Sequence, residues 1–261
     1  FLVHDYRIDG SAKRRGKSSM HSSYDDLEEG KKQAICVGDI AYTYSIQAIQ
    51  KLNFKEEIVL RFLKKFTELI ETTCHGEMLD IKYEKKSVLE LSEKDIIDCI
   101  SLKTANYTIA GPLQLGAIVS EIPDSDKNMK LLYDFGMKLG CAFQVQDDIL
   151  GLIGTEAEIG KPVTSDFSEG KKTLLMKNVF QMLPSGEEKN QLMFKFGKKI
   201  SPRDYEKIRK IIKQSGAVEK TELFAKNLML QAKEILEKIA INPKEKKFLK
   251  EMADYVIERS K

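Results

Sequence analysis

The sequence predicts an all-α protein, a helical bundle closed around a central cavity. Apolar residues recur at three- and four-residue spacing along most of the chain. No strand-like alternation, internal repeat or low-complexity tract interrupts that period. Two acid-rich segments lie far apart in the chain, and a bundle brings such segments together because its sites are built from inward-facing residues of opposite helices.

With 261 residues, 42% of them hydrophobic and 32% charged, the chain can bury a sizeable core. No linker divides it, so residues 1–261 are expected to form a single domain. A net charge of +3 with spread basic residues excludes a nucleic-acid-binding surface. Cys36, Cys74, Cys99 and Cys141 lack metal-like spacing and are expected to be buried free thiols. Asp, Lys or Gln cuts every apolar stretch well short of the ~20 residues that a membrane span needs. The expectation is a soluble, cytoplasmic protein without a membrane span. The chain opens on Phe1-Leu2-Val3 with no Met and no helix cap, so residue 1 is expected to lie inside a helix whose start, with the helices before it, is missing.

Residues 1–9 read as the end of an apolar helix. Asp5 and Asp9 are four apart, which places both carboxylates on one face, able to hold a metal ion between them and a phosphate. Residues 10–17 read as a loop that carries Arg14 and Arg15. In a chain with seven Arg against thirty-six Lys, the adjacent pair suggests bidentate phosphate binding.

A long core helix follows over residues 24–53, where Gly38 marks a close helix contact. Another spans about 55–82 with Val59, Phe62, Phe66, Leu69 and Ile70 on one stripe. His75 near its end has no partner His or Cys and reads as structural. Glu77 and Asp80 either line a cavity or face water. Ser92 with Asp95 forms a capping-box variant that opens a helix over 93–106. Lys103-Thr104 followed by Gly111-Pro112 predicts a helix broken or kinked where it passes a ligand, with Lys103 reaching in.

The helix that begins near residue 126 runs into FQVQDDILGLIG, where helical spacing puts Phe143, Gln144, Asp147 and Gly151 on one face and Asp148 beside them. The next segment adds Lys161, Asp166, Lys171 and Lys172. Carboxylates beside ammonium groups suit a diphosphate held through Mg²⁺. Residues 174–182, 202–215, 218–239 and 244–260 are amphipathic helices separated by Pro184, Gly186, Gly216 and Pro243.

Taken together, these segments resemble the trans-isoprenyl diphosphate synthases of the polyprenyl synthetase family over essentially the whole chain. HDYRIDGSAKRRGK is similar to the family's first aspartate-rich motif with its Arg-Arg-Gly, GEMLDI to its Gly-Gln-x-Leu-Asp element, and KTANYTIAGPLQLGA to its Lys-Thr helix. FQVQDDILGLIG with GKPVTSDFSEGKKTLL resembles the second aspartate-rich motif and its lysine loop. Any one of these is weak; their order and spacing are specific.

The resemblance implies that Asp5, Asp9 and Asp147 ligate Mg²⁺ on the allylic diphosphate, with Asp148 nearby. It implies that Arg14, Lys103, Lys161 and Lys171 contact that diphosphate and that Arg15 serves isopentenyl diphosphate. Phe143, Thr104 and Gln144 would face the allylic chain, and Phe1, one turn before Asp5, would act as a chain-length floor giving a product such as farnesyl or geranylgeranyl diphosphate. A homodimer is implied as well. Tyr6 stands where the family usually has the second Asp of its first motif, Gly151 at the last position of the second, and Glu77 in place of a Gln. The family's Gly-x-Lys-x-x-Arg element would precede Phe1. A non-catalytic subunit of a heteromeric synthase is one alternative. A terpene cyclase is another, but it has no use for a second diphosphate site and leaves Arg14, Arg15 and Lys103 unexplained.

Overall fold

The computed structural model describes residues 1–14, 16–155 and 163–258, and for residues 14, 257 and 258 the backbone alone. The architecture is all-α. In order, α1 is Leu2–Ile8, α2 Leu27–Gln50, α3 Glu56–Glu84 and α4 Glu93–Ile100, which continues through a π-helical stretch, Ser101–Ala110, into α5, Gly111–Val119. Then come α6 Lys127–Ile153, α7 Ser165–Ser168, α8 Leu174–Met182, α9 Glu187–Lys195, α10 Pro202–Gln214, α11 Ala217–Glu237 and α12 Pro243–Glu258.

Side-chain caps fix several starts. Asp26 accepts from Glu28 N at 2.8 Å, Asp126 accepts from Asn128 N at 2.7 Å, and Ser92 and Asp95 exchange the reciprocal bonds of a capping box.

Helix α6 is apolar on most of its circumference and forms the axis of the bundle. Phe135, Leu139, Val145, Ile149 and Leu152 are buried in the core together with Leu228, Ala232 and Leu236 of α11, the helix packed along it. Removing one such leucine side chain costs ~2–5 kcal/mol, because the cavity left behind closes only in part. At the end of α6, Tyr205 Oη donates to Leu152 O at 2.6 Å and Arg209 Nε to Ile153 O at 3.0 Å. Helix α10 thus satisfies carbonyls that no further turn of α6 could pair.

The π-helical stretch is gripped from two sides. A Cβ on Gly76 of α3 would stand 2.3 Å from Lys103 N, and Cβ atoms on Gly136 and Gly140 of α6 would stand 2.4 Å and 2.6 Å from the Cα atoms of Ala110 and Ala105. Only a residue without a side chain lets the backbones approach this closely. The expected break or kink before Gly111-Pro112 takes the form of a widened helix over Ser101–Ala110, and π-helical turns of this kind are often found at functional sites. Gly38 likewise makes the close contact read from the sequence, its Cα facing the His4 ring of α1.

Four expectations are corrected. Residues 10–17 are not a plain loop: Lys13–Arg14 pairs antiparallel with Lys17–Ser18, with Gly16 at φ +73° in the turn. Two-residue strands are too short to leave an alternation in the sequence. Helix α9 was not anticipated, because Leu192 is its one buried residue and a single apolar position makes no stripe. The helix expected over residues 93–106 changes to π geometry after Ile100. Cys99 and Cys141 are buried, but Cys74 is half-buried and Cys36 is exposed on α2; all four are free thiols. No helix among the described residues is long and apolar enough to cross a membrane.

Candidate active site

Helices α1 and α3 present one bank of acids. Oxygen atoms of Asp5, Asp9 and Glu77 all lie within 4.8 Å of one another. Asp5 and Asp9 come from consecutive turns of one helical face, and Glu77 meets them because Gly76 lets α3 press against the π-helical stretch. Asp80 follows Glu77 by three residues, on the same side of α3.

Lys103 projects from the π-helical stretch into this bank. Its Nζ lies 2.7 Å from Glu77 Oε2, 2.7 Å from Asp80 Oδ2 and 3.5 Å from Asp5 Oδ1. Burial pulls the ammonium pKa down, but Asp80, Asp5, Asp9 and Glu77 outweigh burial and hold it above the ordinary lysine value. Burial raises the Glu77 carboxyl, and the charge of Lys103 offsets this only in part. Four carboxylates act on the ammonium and hold it in its charged form.

The second bank belongs to α6 and α7. Gln144 Nε2 donates to Asp148 Oδ1 at 2.8 Å. Burial pushes the Asp148 carboxyl up to about 7; Gln144 and Lys171 oppose the shift, and Asp166 and Asp147 add to it. Asp166 is buried on α7, whose Phe167 is fully buried in edge contact with Phe196 at 5.4 Å and Tyr205 at 6.3 Å. That aromatic anchor fixes a four-residue helix that could not hold its place alone.

Lys171 joins the banks. Its Nζ lies 3.5 Å from Asp166 Oδ1, 3.5 Å from Glu169 Oε2 and 4.0 Å from Asp9 Oδ2. The two aspartate-rich segments, some 140 positions apart in the sequence, are thus brought to one lysine.

Of the residues singled out in the sequence, Asp5, Asp9, Lys103, Gln144, Asp147, Asp148 and Lys171 are placed on these two banks. Asp147 is not a member of the Asp5, Asp9 and Glu77 group. Thr104 follows Lys103 on the π-helical stretch, Phe143 lies one turn before Asp147 on α6, and both are half-buried. The Phe1 ring sits 6.1 Å from the ring of Tyr107. Arg15 and Lys161 lie outside the described residues, as does the side chain of Arg14. Sequence reasoning underrated Glu77, Asp80 and Asp166. The signal available for the first two was their three-residue spacing beside Gly76; Asp166 offered none beyond its nearness to Lys171.

The donor set of the first bank is oxygen alone, which suits a hard divalent cation such as Mg²⁺ and not a thiolate- or imidazole-seeking metal. Glu77 Oε2, closed to solvent, faces Lys103 without an aligned hydrogen bond among the described residues, leaving a lone pair for an ion.

An all-α bundle with two facing carboxylate banks and lysines between them defines a class of proteins that bind diphosphates through divalent metal. Comparison with known proteins specifies the class. The polyprenyl synthetase family model matches residues 1–214. Geranylgeranyl diphosphate synthase of Sulfolobus acidocaldarius is 32% identical over 265 aligned positions, covering 100% of this chain and 76% of that protein. Geranylfarnesyl diphosphate synthase of Aeropyrum pernix is 29% identical, covering 100% and 79%. The crystal structure of a geranylgeranyl pyrophosphate synthase from Corynebacterium glutamicum, complexed with isoprenyl diphosphate and magnesium, superposes with a TM-score of 0.90 at 29% identity, covering 99% of this chain and 75% of that one. The chain belongs to the polyprenyl synthetase family, and its enzyme class is that of the trans-isoprenyl diphosphate synthases.

Proposed function

We propose that the protein condenses an allylic diphosphate with isopentenyl diphosphate, head to tail and with Mg²⁺, to give a short trans-prenyl diphosphate such as farnesyl or geranylgeranyl diphosphate. The observation that supports this best is the convergence of Asp5 and Asp9 with Asp148 and Asp166 across Lys171, with Lys103 at one end.

In this reading Asp5, Asp9 and Asp147 hold Mg²⁺, which when bound supplies charge compensation for the departing diphosphate. Arg14, Lys103, Lys161 and Lys171 bind the oxygens of the allylic diphosphate, and Arg15 those of isopentenyl diphosphate. Lys103 is suited to its part because its neighbours keep it cationic. Fixed donors aimed at developing charge need no reorganisation as the carbon–oxygen bond breaks. Gln144, itself bonded to Asp148, Thr104 and Phe143 would face the allylic chain, and exclusion of water there would protect the cation that forms. No protein nucleophile takes part. Phe1 and Tyr107 limit the depth available to the growing chain. The enzyme would act in the cytoplasm as a homodimer, for which Ile40 and Tyr44, exposed one turn apart on α2, offer an apolar contact.

The deciding experiment incubates the purified protein with labelled isopentenyl diphosphate, allylic starters of increasing length and Mg²⁺, with and without EDTA. A prenyl diphosphate that forms only with the metal is expected. No product from any starter would remove the proposal.

A further inference from the structure

Glu77 stands where the resemblance leads one to expect an amide, and the structure gives its charge a specific setting. The residue is 5% exposed. Its backbone is set close to Lys103, because the neighbouring Gly76 presses α3 against the Lys103 backbone, where even a Cβ would lie 2.3 Å from the Lys103 nitrogen. Its carboxylate meets those of Asp5 and Asp9, with oxygens of all three inside 4.8 Å. Oε2 is closed to solvent and lies 2.7 Å from the Lys103 ammonium without an aligned hydrogen bond. Lys103 itself donates at 2.7 Å to Asp80, so the ammonium keeps a partner if Glu77 turns to another cation.

We propose that Glu77 is a third carboxylate ligand of the Asp5–Asp9 site and lets this protein hold one divalent cation before any diphosphate arrives. Two aspartates alone leave most of a six-coordinate ion's sphere to water and substrate, and such an ion binds weakly until the diphosphate supplies oxygens. A third carboxylate, held in place by packing, adds both a ligand and a charge at no further ordering cost. The cation takes Glu77 from Lys103, and Lys103 stays on Asp80, beside the place where the diphosphate is read to bind. The inference rests on the reading that a diphosphate-binding metal site lies here, but it concerns binding order, which turnover does not report.

The test uses the full chain, free of substrate, titrated with Mn²⁺ and followed by electron paramagnetic resonance and calorimetry. Wild type is expected to bind one Mn²⁺ with no diphosphate present, and Glu77→Gln, nearly identical in shape, to bind it at least about tenfold more weakly. Asp80→Asn removes the same charge three residues away from a carboxylate outside the group and is expected to change affinity by less than about threefold. Circular dichroism checks that both variants keep the wild-type helix content, and a Glu77→Asp variant is expected to recover part of the binding if Gln perturbs packing. Absence of substrate-free binding in wild type overturns the proposal, as does equal weakening by Glu77→Gln and Asp80→Asn, which would assign the effect to net charge. Prenyl transfer measured separately decides the broader reading, so the two fail independently.

Discussion

The carboxylate of Asp166 occupies the space that a side chain on Gly151 would need: a Cβ there would stand 1.9 Å from Asp166 Oδ2. The second aspartate-rich segment ends in glycine, and a carboxylate from α7 enters at that point instead. Asp166 is buried, and its Oδ1 lies 3.5 Å from the Lys171 ammonium. Gly151 and Asp166 are thus a matched pair, and an aspartate at 151 requires the Asp166 carboxylate to move.

Gly151→Asp is therefore expected to destabilise the protein by ~1–3 kcal/mol through overpacking, with a further contribution from two carboxylates forced together. Thermal melting in EDTA reads the loss. The double variant Gly151→Asp with Asp166→Gly should recover part of it. A melting temperature equal to wild type in the single variant would show that the Asp166 carboxylate yields freely.

Asp5→Asn and Asp147→Asn are expected to abolish prenyl transfer while leaving the far-ultraviolet circular dichroism unchanged. Loss of one metal ligand should remove several kcal/mol of transition-state stabilisation, roughly a hundredfold or more in kcat. Unchanged turnover of either variant at saturating Mg²⁺ would rule out that residue as a ligand.

Lys103→Met leaves Glu77, Asp80 and Asp5 facing one another without the ammonium between them. Breaking a mostly buried pair in this way costs on the order of 3 kcal/mol, somewhat less here because Asp80 retains solvent contact. The metal-free variant should melt well below wild type, and Mg²⁺ should raise its melting temperature by more than it raises that of wild type. If Mg²⁺ gives the variant no larger gain than it gives wild type, the ammonium is not holding a place that a cation can take.

The Phe1 and Tyr107 rings meet one turn before Asp5, 6.1 Å apart. Phe1→Ala and Tyr107→Ala should each lengthen the product by at least one isoprene unit, because removing a ring frees room for several methylenes. Chromatography of the products decides it. An unchanged length distribution in both active variants places the floor elsewhere.

His21 supplies a pH dependence apart from the site. It is buried beneath α2, with Nδ1 at 3.3 Å from Ser19 Oγ. Burial lowers its pKa below 6.5, and the charges of Arg7 and Lys31 lower it further. The unfolded chain therefore takes up a proton before the native one does. Stability is whole above pH 6.5 and falls as the pH drops below it, by at most ~1.4 kcal/mol per pH unit for one proton, levelling off once the native histidine titrates. Melts at pH 8 and pH 5.5 should show a larger loss for wild type than for His21→Gln; identical losses would falsify this assignment.

Much of the protein was legible in the sequence. The three- and four-residue apolar period located the long helices, because burying one face of each is what the bundle requires. Asp5 with Asp9, Asp147 with Asp148, and Lys103 before Gly111-Pro112 stood out because metal and phosphate chemistry needs those residue types on one helical face. Their order along the chain sufficed for the family.

The tertiary structure alone decided which helix faces meet and how closely. That Glu77 joins Asp5 and Asp9 follows from Gly76 lying on the backbone of Lys103. Lys103 is cationic and clamped because two helices, α1 and α3, bring acids to it, and Asp166 enters the site because Phe167 is locked between Phe196 and Tyr205. Periodicity reports the buried face of a single helix; it carries no record of the partner on the other side. Contacts set by absent side chains, as at Gly76, Gly140 and Gly151, take their meaning only from the atoms that fill the space, and those come from distant parts of the chain.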